Sequence, residues 1–145
     1  MSFEPAGYSG TPLPKKLGVK PGSRVLAIGA PAAVVSEIAR ITPVDALDSV
    51  PCSGLWDVIL LFAPNRANFE ASLPSAQAIL HPDGGLWIAW PKKSSGVRTD
   101  MTEDYIREIA LPRDLVDNKV CAIDATWSGL RFVVPVAKRA GIERV

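Results

Sequence analysis

The sequence is poor in the residues that build metal centres and disulfide frameworks. Its 145 residues include two cysteines, Cys52 and Cys121, and one histidine, His81. The cysteines lack the paired spacing of a metal site, and we expect them to be reduced thiols in a cytoplasmic protein. A single histidine cannot anchor a multi-histidine metal centre, and it completes no Ser-His-Asp or Cys-His arrangement. We therefore predict no metal and assign no catalytic residue.

The sequence also lacks a strong net charge and a long apolar segment. The formal net charge is +1, so only a local patch would attract an anion. There is no groove of interleaved basic and aromatic residues, which argues against a nucleic-acid partner. No stretch approaches the roughly 18 apolar residues of a membrane span. The first residues do not combine a basic segment with an apolar run, so we expect no signal peptide and no membrane partner.

Apolar runs in the sequence predict a mostly parallel sheet. Residues 25–28, 58–62 and 86–90 are continuous apolar runs, which are typical of strands buried on both faces. We expect these three strands to be adjacent and parallel. The gap before the second run has room for one short strand near residues 44–47.

Helical spacing fills the segments between the strands. Val34, Ile38 and Ile41 recur on one face of a predicted helix that begins near Pro31. A second helix presents one face through Phe69, Leu73, Ala76 and Leu80, and the third is predicted to open at the capping box formed by residues 100–103. Helices between parallel strands cover both faces of the sheet, which predicts a three-layer α/β fold.

The last third of the chain differs from the alternating pattern before it. Residues 115–123 and 130–136 read as two strands joined by a turn, which predicts a C-terminal antiparallel hairpin. The chain has 145 residues, of which 48% are hydrophobic, and this is enough to bury one core. We therefore expect a single Rossmann-like domain at residues 24–137, between an N-terminal arm at 1–23 and a basic tail at 138–145.

Three segments resemble a known superfamily. They are LGVKPGSRVLAIG at 17–29, WDVIL at 56–60 and LHPDGGL at 80–86. In this order they are similar to the first strand, the central strand and a helix-to-strand turn of Rossmann-like S-adenosylmethionine-dependent methyltransferases. The resemblance implies S-adenosylmethionine as a cofactor, with its ribose bound by a carboxylate at the end of the second strand. Asp45 and Asp48 are the two residues at that place.

The loop after the first strand differs from the glycine-rich loop that this resemblance implies. It reads Gly29-Ala30-Pro31-Ala32-Ala33, with one glycine and a proline that has no amide donor. Side chains in this loop hinder the close approach of a ligand to the backbone. We therefore expect S-adenosylmethionine to bind weakly or not at all.

Three further segments resemble a second family. GYSGTPL at 7–13, WPKKSSG at 90–96 and VCAIDATWSGL at 120–130 are similar to an uncharacterised family of short bacterial proteins, classed as a domain of unknown function. This resemblance implies no activity.

Polar and basic side chains are concentrated in loops that we expect at the carboxyl edge of the sheet. The loops at 29–33, 64–66 and 91–99 follow neighbouring parallel strands and should open at one edge. The predicted anion site comprises the helix N-terminus after Gly29, the cations Arg66, Lys92, Lys93 and Arg98, and the donors Asn65, Ser94, Ser95 and Thr99. These groups suit phosphate or carboxylate. Two alternatives remain open, a solvated loop and a structural cluster neutralised by Asp100 or Glu103.

Three functions are compatible with these observations. The leading hypothesis is a non-catalytic or weakly catalytic module that binds a small anionic ligand or a nucleotide at the carboxyl edge. The second hypothesis is a minimal S-adenosylmethionine-dependent methyltransferase. The third is a protein-interaction or homodimerisation module, because a fold alone does not determine a function.

Overall fold

Six strands form one sheet in the computed structural model, which describes residues 11–139. The strands are β1 (Val25–Ile28), β2 (Val44–Leu47), β3 (Trp56–Phe62), β4 (Leu80–Pro91), β5 (Val116–Ala122) and β6 (Trp127–Val133). Their order is β2-β1-β3-β4-β6-β5. Every pair of neighbouring strands among β1 to β4 is parallel, whereas β6 is antiparallel to both β4 and β5. The predicted mostly parallel sheet with a C-terminal hairpin is confirmed, and so are the three adjacent apolar strands.

Helices cover both faces of this sheet. They are α1 (Leu13–Lys16), α2 (Ala32–Ala39), α3 (Arg66–Ala78), α4 (Glu103–Ala110) and the short α5 (Val136–Arg139). The α1/α2 face of the sheet includes Val58, Leu60, Phe62, Trp87 and Ala89, which pack with Val34 and Ile38 of α2. The α3/α4 face includes Ile59, Leu61, Leu86 and Ile88, which pack with Phe69 and Leu73 of α3 and Ile106 of α4. The chain therefore has the three layers that the sequence predicts.

The continuous apolar runs follow from this layering. Alternate residues of a strand point to opposite faces, so Val58, Leu60 and Phe62 face one helix layer while Ile59 and Leu61 face the other. All five side chains are at most 4% exposed. A strand with one face in water would instead alternate apolar and polar residues.

The described part of the N-terminal arm contributes to the core. Leu17 is fully buried on the α1/α2 face, and its carbonyl oxygen accepts a hydrogen bond of 3.0 Å from Nε1 of Trp87. The backbone N–H of Val19 donates to the carbonyl of Pro14 at 2.8 Å, which closes the turn after α1. Residues 1–10 and 140–145 lie outside the described residues, and with them most of the predicted basic tail and part of the motif at 7–13.

The predicted turn at residues 82–85 lies inside β4, which begins at Leu80. The glycines serve close packing there. A Cβ atom at Gly84 would lie 2.6 Å from the carbonyl oxygen of Asp57, and one at Gly85 would collide with the guanidinium of Arg131. The predicted turn is present as an irregularity of β4, because residues 81–84 stand opposite the single residue Asp57 between the pairs Trp56–Leu80 and Val58–Gly85.

The starts of α4 and β6 also differ from the prediction, because side chains hydrogen-bond to the local backbone. Helix α4 is capped by Thr102, whose hydroxyl accepts the N–H of Tyr105 at 3.1 Å, and not by Asp100. Asp124 accepts the N–H groups of Thr126 and Trp127, both at 2.8 Å. This contact shortens the turn of the hairpin, so Trp127 opens β6 instead of lying in a loop.

Candidate functional site

The ends of β1 and β2 form one part of the carboxyl edge. Ile28 and Leu47 are the last paired residues of these parallel strands. Gly29 follows β1 with a φ of +67°, a left-handed conformation that favours glycine, and its N–H donates to the carbonyl of Leu47 at 2.9 Å. Asp48 follows β2 directly and is exposed. Gly29 and Asp48 are therefore side by side where two neighbouring strands end.

The two carboxylates considered for ribose binding have different environments. Oδ2 of Asp45 accepts a hydrogen bond of 2.9 Å from Nε1 of Trp56, and Asp45 lies within β2. Within residues 11–139, no hydrogen bond or ion pair engages the carboxylate of Asp48. Asp48 is therefore the one of the two that lies at a strand end with a free carboxylate.

The N-terminus of α2 lies at the same edge. Its N-cap residue is Pro31, which provides no side-chain cap, and Ala32 and Ala33 are exposed at the start of the helix. The first-turn N–H groups of a helix attract negative charge. The carboxyl edge at α2 therefore offers backbone N–H donors, but Gly29 is the only residue of the 29–33 loop without a side chain.

The loop after β3 is held by structural contacts. The side chain of Asn65 caps α3 by accepting the N–H of Asn68 at 2.8 Å. The backbone N–H of Arg66 donates to Oδ1 of Asp100 at 2.8 Å, and its Nε donates to the carbonyl of Asp100 at 2.7 Å. The Arg66 guanidinium also lies 3.9 Å from the ring centre of Tyr105. Asn65 thus caps α3, and Arg66 connects this loop to the start of α4.

Hydroxyl groups shape the loop after β4. Thr99 donates to the carbonyl of Pro64 at 2.7 Å and accepts the N–H of Met101 at 3.0 Å. Ser95 donates to the carbonyl of Lys92 at 2.6 Å and accepts the N–H of Val97 at 3.1 Å, and the turn ends at Gly96 with a φ of +78°. Ser94 is exposed. Thr99 and Ser95 therefore already have local hydrogen-bond partners.

Two of the predicted cations share a cavity. Lys93 and Arg98 line a space of about 910 Å³ together with Trp90, Asp100 and Glu103. Arg66 and Lys92 are not among its lining residues; the backbone N–H of Lys92 donates to the carbonyl of Thr126 at 2.9 Å. Glu103 is paired with Arg107 at 2.6 Å. Within the described residues, neither it nor Asp100 forms an ion pair with a lysine.

The two parts of the edge are separate. The end of β2 and the end of β4 are three strand spacings apart in the sheet order, roughly 14 Å. The structure thus brings Gly29 together with Asp48, and Lys93 together with Arg98. It does not bring all of the predicted cations to one place, and the binding roles of these residues remain predictions.

The half-buried thiol of Cys121 is not activated as a nucleophile. Cys121 is half-buried, and burial raises the pKa of its thiol, although Lys16 and Lys119 oppose this shift. The reactive form is the thiolate, so this environment disfavours reaction at neutral pH. In residues 11–139, no cluster of three or more His, Cys, Asp or Glu side chains has metal-site geometry. No helix in that range is long and apolar enough to cross a membrane.

A cleft beside α2 was not predicted from the sequence. It has a volume of about 430 Å³ and is lined mainly by Leu13, Val34, Ile123, Ala125 and Thr126. These residues come from the arm, α2 and the hairpin turn, which are far apart in sequence. The short apolar segments at these positions gave no signal that they meet.

The fold is similar to solved methyltransferase structures. A fibrillarin from Aeropyrum pernix, in complex with natively bound S-adenosyl-L-methionine, is 17% identical with a TM-score of 0.59, covering 88% of this chain and 70% of that one. A SAM-dependent methyltransferase from Aquifex aeolicus is 15% identical with a TM-score of 0.57, covering 83% and 86%. The M1A22 tRNA methyltransferase TrmK of B. subtilis is 15% identical with a TM-score of 0.51, covering 92% and 70%.

No protein-family model and no curated protein matches the chain. The resemblance to an uncharacterised bacterial family therefore remains a prediction. At these identities the structural likeness concerns the fold, and the chain has a methyltransferase-like Rossmann fold.

Proposed function

We propose that this protein binds a nucleoside-containing ligand at the carboxyl edge, between the ends of β1 and β2. The observation that supports this proposal best is the adjacency of Gly29 and Asp48. Gly29 has a left-handed backbone and no side chain, which permits close approach. Asp48 has an exposed carboxylate that no other described residue engages, and a carboxylate can accept hydrogen bonds from two ribose hydroxyls.

The residues present fit the adenosine half of S-adenosylmethionine better than its aminoacyl half. Asp48 would hold the ribose, and Gly29 would let the ligand approach β1. The aminoacyl end would lie near the start of α2, where Ala30 and Pro31 stand in place of further glycines. Proline supplies no N–H there, so the proposal keeps the expectation of weak binding for the whole cofactor.

A minimal methyltransferase is the second candidate function. The similarity to fibrillarin, whose structure contains S-adenosyl-L-methionine, favours it. When bound, S-adenosylmethionine would supply an electrophilic methyl group. This chain would contribute the orientation of that ligand through Gly29 and Asp48, and we assign no general base.

Calorimetry with a charge-matched pair of variants tests the proposal. The protein is titrated with adenosine, S-adenosylhomocysteine and S-adenosylmethionine, and the titrations are repeated for Asp48→Asn and Asp45→Asn. Hydrogen bonds to a charged group contribute about 1.5 to 3 kcal/mol, so Asp48→Asn should weaken binding about tenfold to a hundredfold. Asp45→Asn removes the same charge from β2 but keeps an oxygen that can accept from Trp56, and it should bind like the wild type.

The outcomes separate the two candidates. The nucleoside-binding module is supported if adenosine and S-adenosylhomocysteine bind to the wild type and bind more weakly to Asp48→Asn. A micromolar or tighter affinity for S-adenosylmethionine, with transfer of its labelled methyl group to an acceptor, would favour the methyltransferase. Absence of binding by all three ligands, or equal binding by both variants and the wild type, would contradict a site at Asp48.

A further inference from the structure

A second group of cations lies away from the carboxyl edge. A cavity of about 450 Å³ opens on the α1/α2 face, toward the amino ends of β3 and β4. Its cationic lining consists of Lys15, Lys16, Lys20, Lys119 and Arg131. Two carboxylates, Asp57 and Asp83, also line it. The positive charges at this cavity outnumber the negative ones by three.

The register of the hairpin brings two of these cations together. Lys119 of β5 and Arg131 of β6 are directly paired residues, and Arg131 is also paired with Trp87 of β4 on the α1/α2 face. Like charges directly opposite one another destabilise an antiparallel pair. Within residues 11–139, neither side chain forms an ion pair, so this repulsion has no carboxylate partner to offset it.

Backbone carbonyls position the lysines without neutralising them. Nζ of Lys16 donates to the carbonyl of Ala122 at 3.1 Å, and Nζ of Lys119 donates to the carbonyl of Lys16 at 2.8 Å. Lys16 is only 8% exposed. The two ammonium groups are therefore held at backbone carbonyls, that of Lys16 at the Ala122 end of β5 and that of Lys119 next to α1.

The absence of a side chain at Gly85 leaves room for Arg131. Its guanidinium packs against Gly85, where any Cβ atom would collide with it. Burial lowers the pKa of Arg131, and the nearby charge of Arg139 lowers it further. No other residue of the described chain accepts a hydrogen bond from this guanidinium. The half-buried Arg131 thus presents donors to the cavity.

The two carboxylates at the cavity compensate only part of this charge. Oδ2 of Asp57 accepts the backbone N–H of Arg24 at 2.8 Å. Asp83 is exposed. In the described residues, neither pairs with any of the five cations, and gathering cations without counterions is unfavourable unless an anion binds.

We propose that this cavity binds a small polyanion of the di- or triphosphate class, at a site separate from the carboxyl edge. Its volume suits a few phosphate groups, and the planar guanidinium of Arg131 can bind a phosphate with two hydrogen bonds. Lys119 and Arg131 are directly paired in the hairpin, and the exposed Lys15 and Lys20 add charge at the rim of the cavity. This inference does not depend on the nucleoside site, because none of its residues lies at the ends of β1 or β2.

Tripolyphosphate is the probe that tests this inference. The full chain is titrated by calorimetry at low salt with tripolyphosphate and, separately, with a single-stranded oligonucleotide. The cavity variant is Lys119→Gln/Arg131→Gln, and the charge-matched control is Arg40→Gln/Arg113→Gln, at two exposed positions outside the cavity lining. Each lost charged contact should weaken binding about tenfold or more, so the cavity variant should lose tripolyphosphate binding while the control binds like the wild type.

Thermal melting without ligand distinguishes lost binding from lost folding. Removal of the paired like charges should leave the melting temperature of the cavity variant at or above that of the wild type. Should that variant unfold, Lys20→Gln at the exposed rim serves instead, with a several-fold loss of affinity expected. Equal binding by cavity variant and wild type, a larger loss in the control, binding of the oligonucleotide alone, or no binding at all would overturn the proposal.

Discussion

Individual side chains at the carboxyl edge divide into two groups by their hydrogen bonds. Asn65 caps its own helix α3, whereas Arg66 and Thr99 contact backbone atoms of neighbouring loops. Asp48 and Lys93 are exposed, and nothing else in the described chain engages their charged groups. The sequence indicates the residue types at this edge but not this division, because whether a donor is already used depends on loops more than 30 residues apart, as in the contact of Thr99 with Pro64.

The two thiols should differ in reactivity. Cys52 is exposed, whereas burial raises the pKa of the half-buried Cys121. With a thiol reagent at neutral pH, we expect one fast equivalent from Cys52. In the Cys52→Ser variant, the pH dependence of the rate should have its midpoint above the value of about 8.5 for a free cysteine, because the neutral thiol persists to higher pH. A midpoint at or below that value would show that Lys16 and Lys119 outweigh burial.

For helices and strands, the sequence predicts which segments form strands better than it predicts where each element begins and ends. The run at 58–62 indicates a strand covered on both faces, and β3 has that environment. The short strand β2 also lies where the gap in the sequence allows it. The N-cap of α4 lies two residues after Asp100, the first residue of the predicted capping box, because Asp100 interacts with Arg66 and Thr102 provides the cap. Such choices between neighbouring cap residues depend on tertiary contacts.

The cap of α4 provides a stability test. Thr102→Ala removes the acceptor for the N–H of Tyr105, and loss of an N-cap costs about 1 kcal/mol in the free energy of unfolding. Thr102→Ser keeps the hydroxyl and should retain most of the stability. Urea unfolding of both variants measures the difference, and equal stability of the Ala and Ser variants would show that the cap contributes nothing.

At the scale of the whole molecule, the N-terminal arm joins the sheet to form the α1/α2 layer. The sequence indicates a Gly- and Pro-rich lead-in with a helical turn, and α1 is present. It does not indicate that the arm meets β4 and β5, because the contacts from Leu17 to Trp87 and from Lys16 to Ala122 join positions 70 and 106 residues apart. The cationic cavity depends on the same contacts, which is why local patterns did not predict it.

Truncation of Leu17 tests this role of the arm. Leu17 is fully buried, so Leu17→Ala should lower the free energy of unfolding by about 2 to 5 kcal/mol. Leu13→Ala, at a half-buried position four residues earlier, is the matched control and should cost less. An unfolding free energy unchanged by Leu17→Ala would mean that the arm is not part of the core.

We propose that a nucleoside ligand binds between the ends of β1 and β2. Amide NMR spectra of the ¹⁵N-labelled full chain, recorded during titration with S-adenosylhomocysteine, test it most directly because they locate the ligand on the chain. We expect the largest shift changes at Gly29, Ala30 and Asp48, with little change at Lys93 to Thr99. Changes confined to residues 93–99, or no changes at millimolar ligand, would contradict the claim.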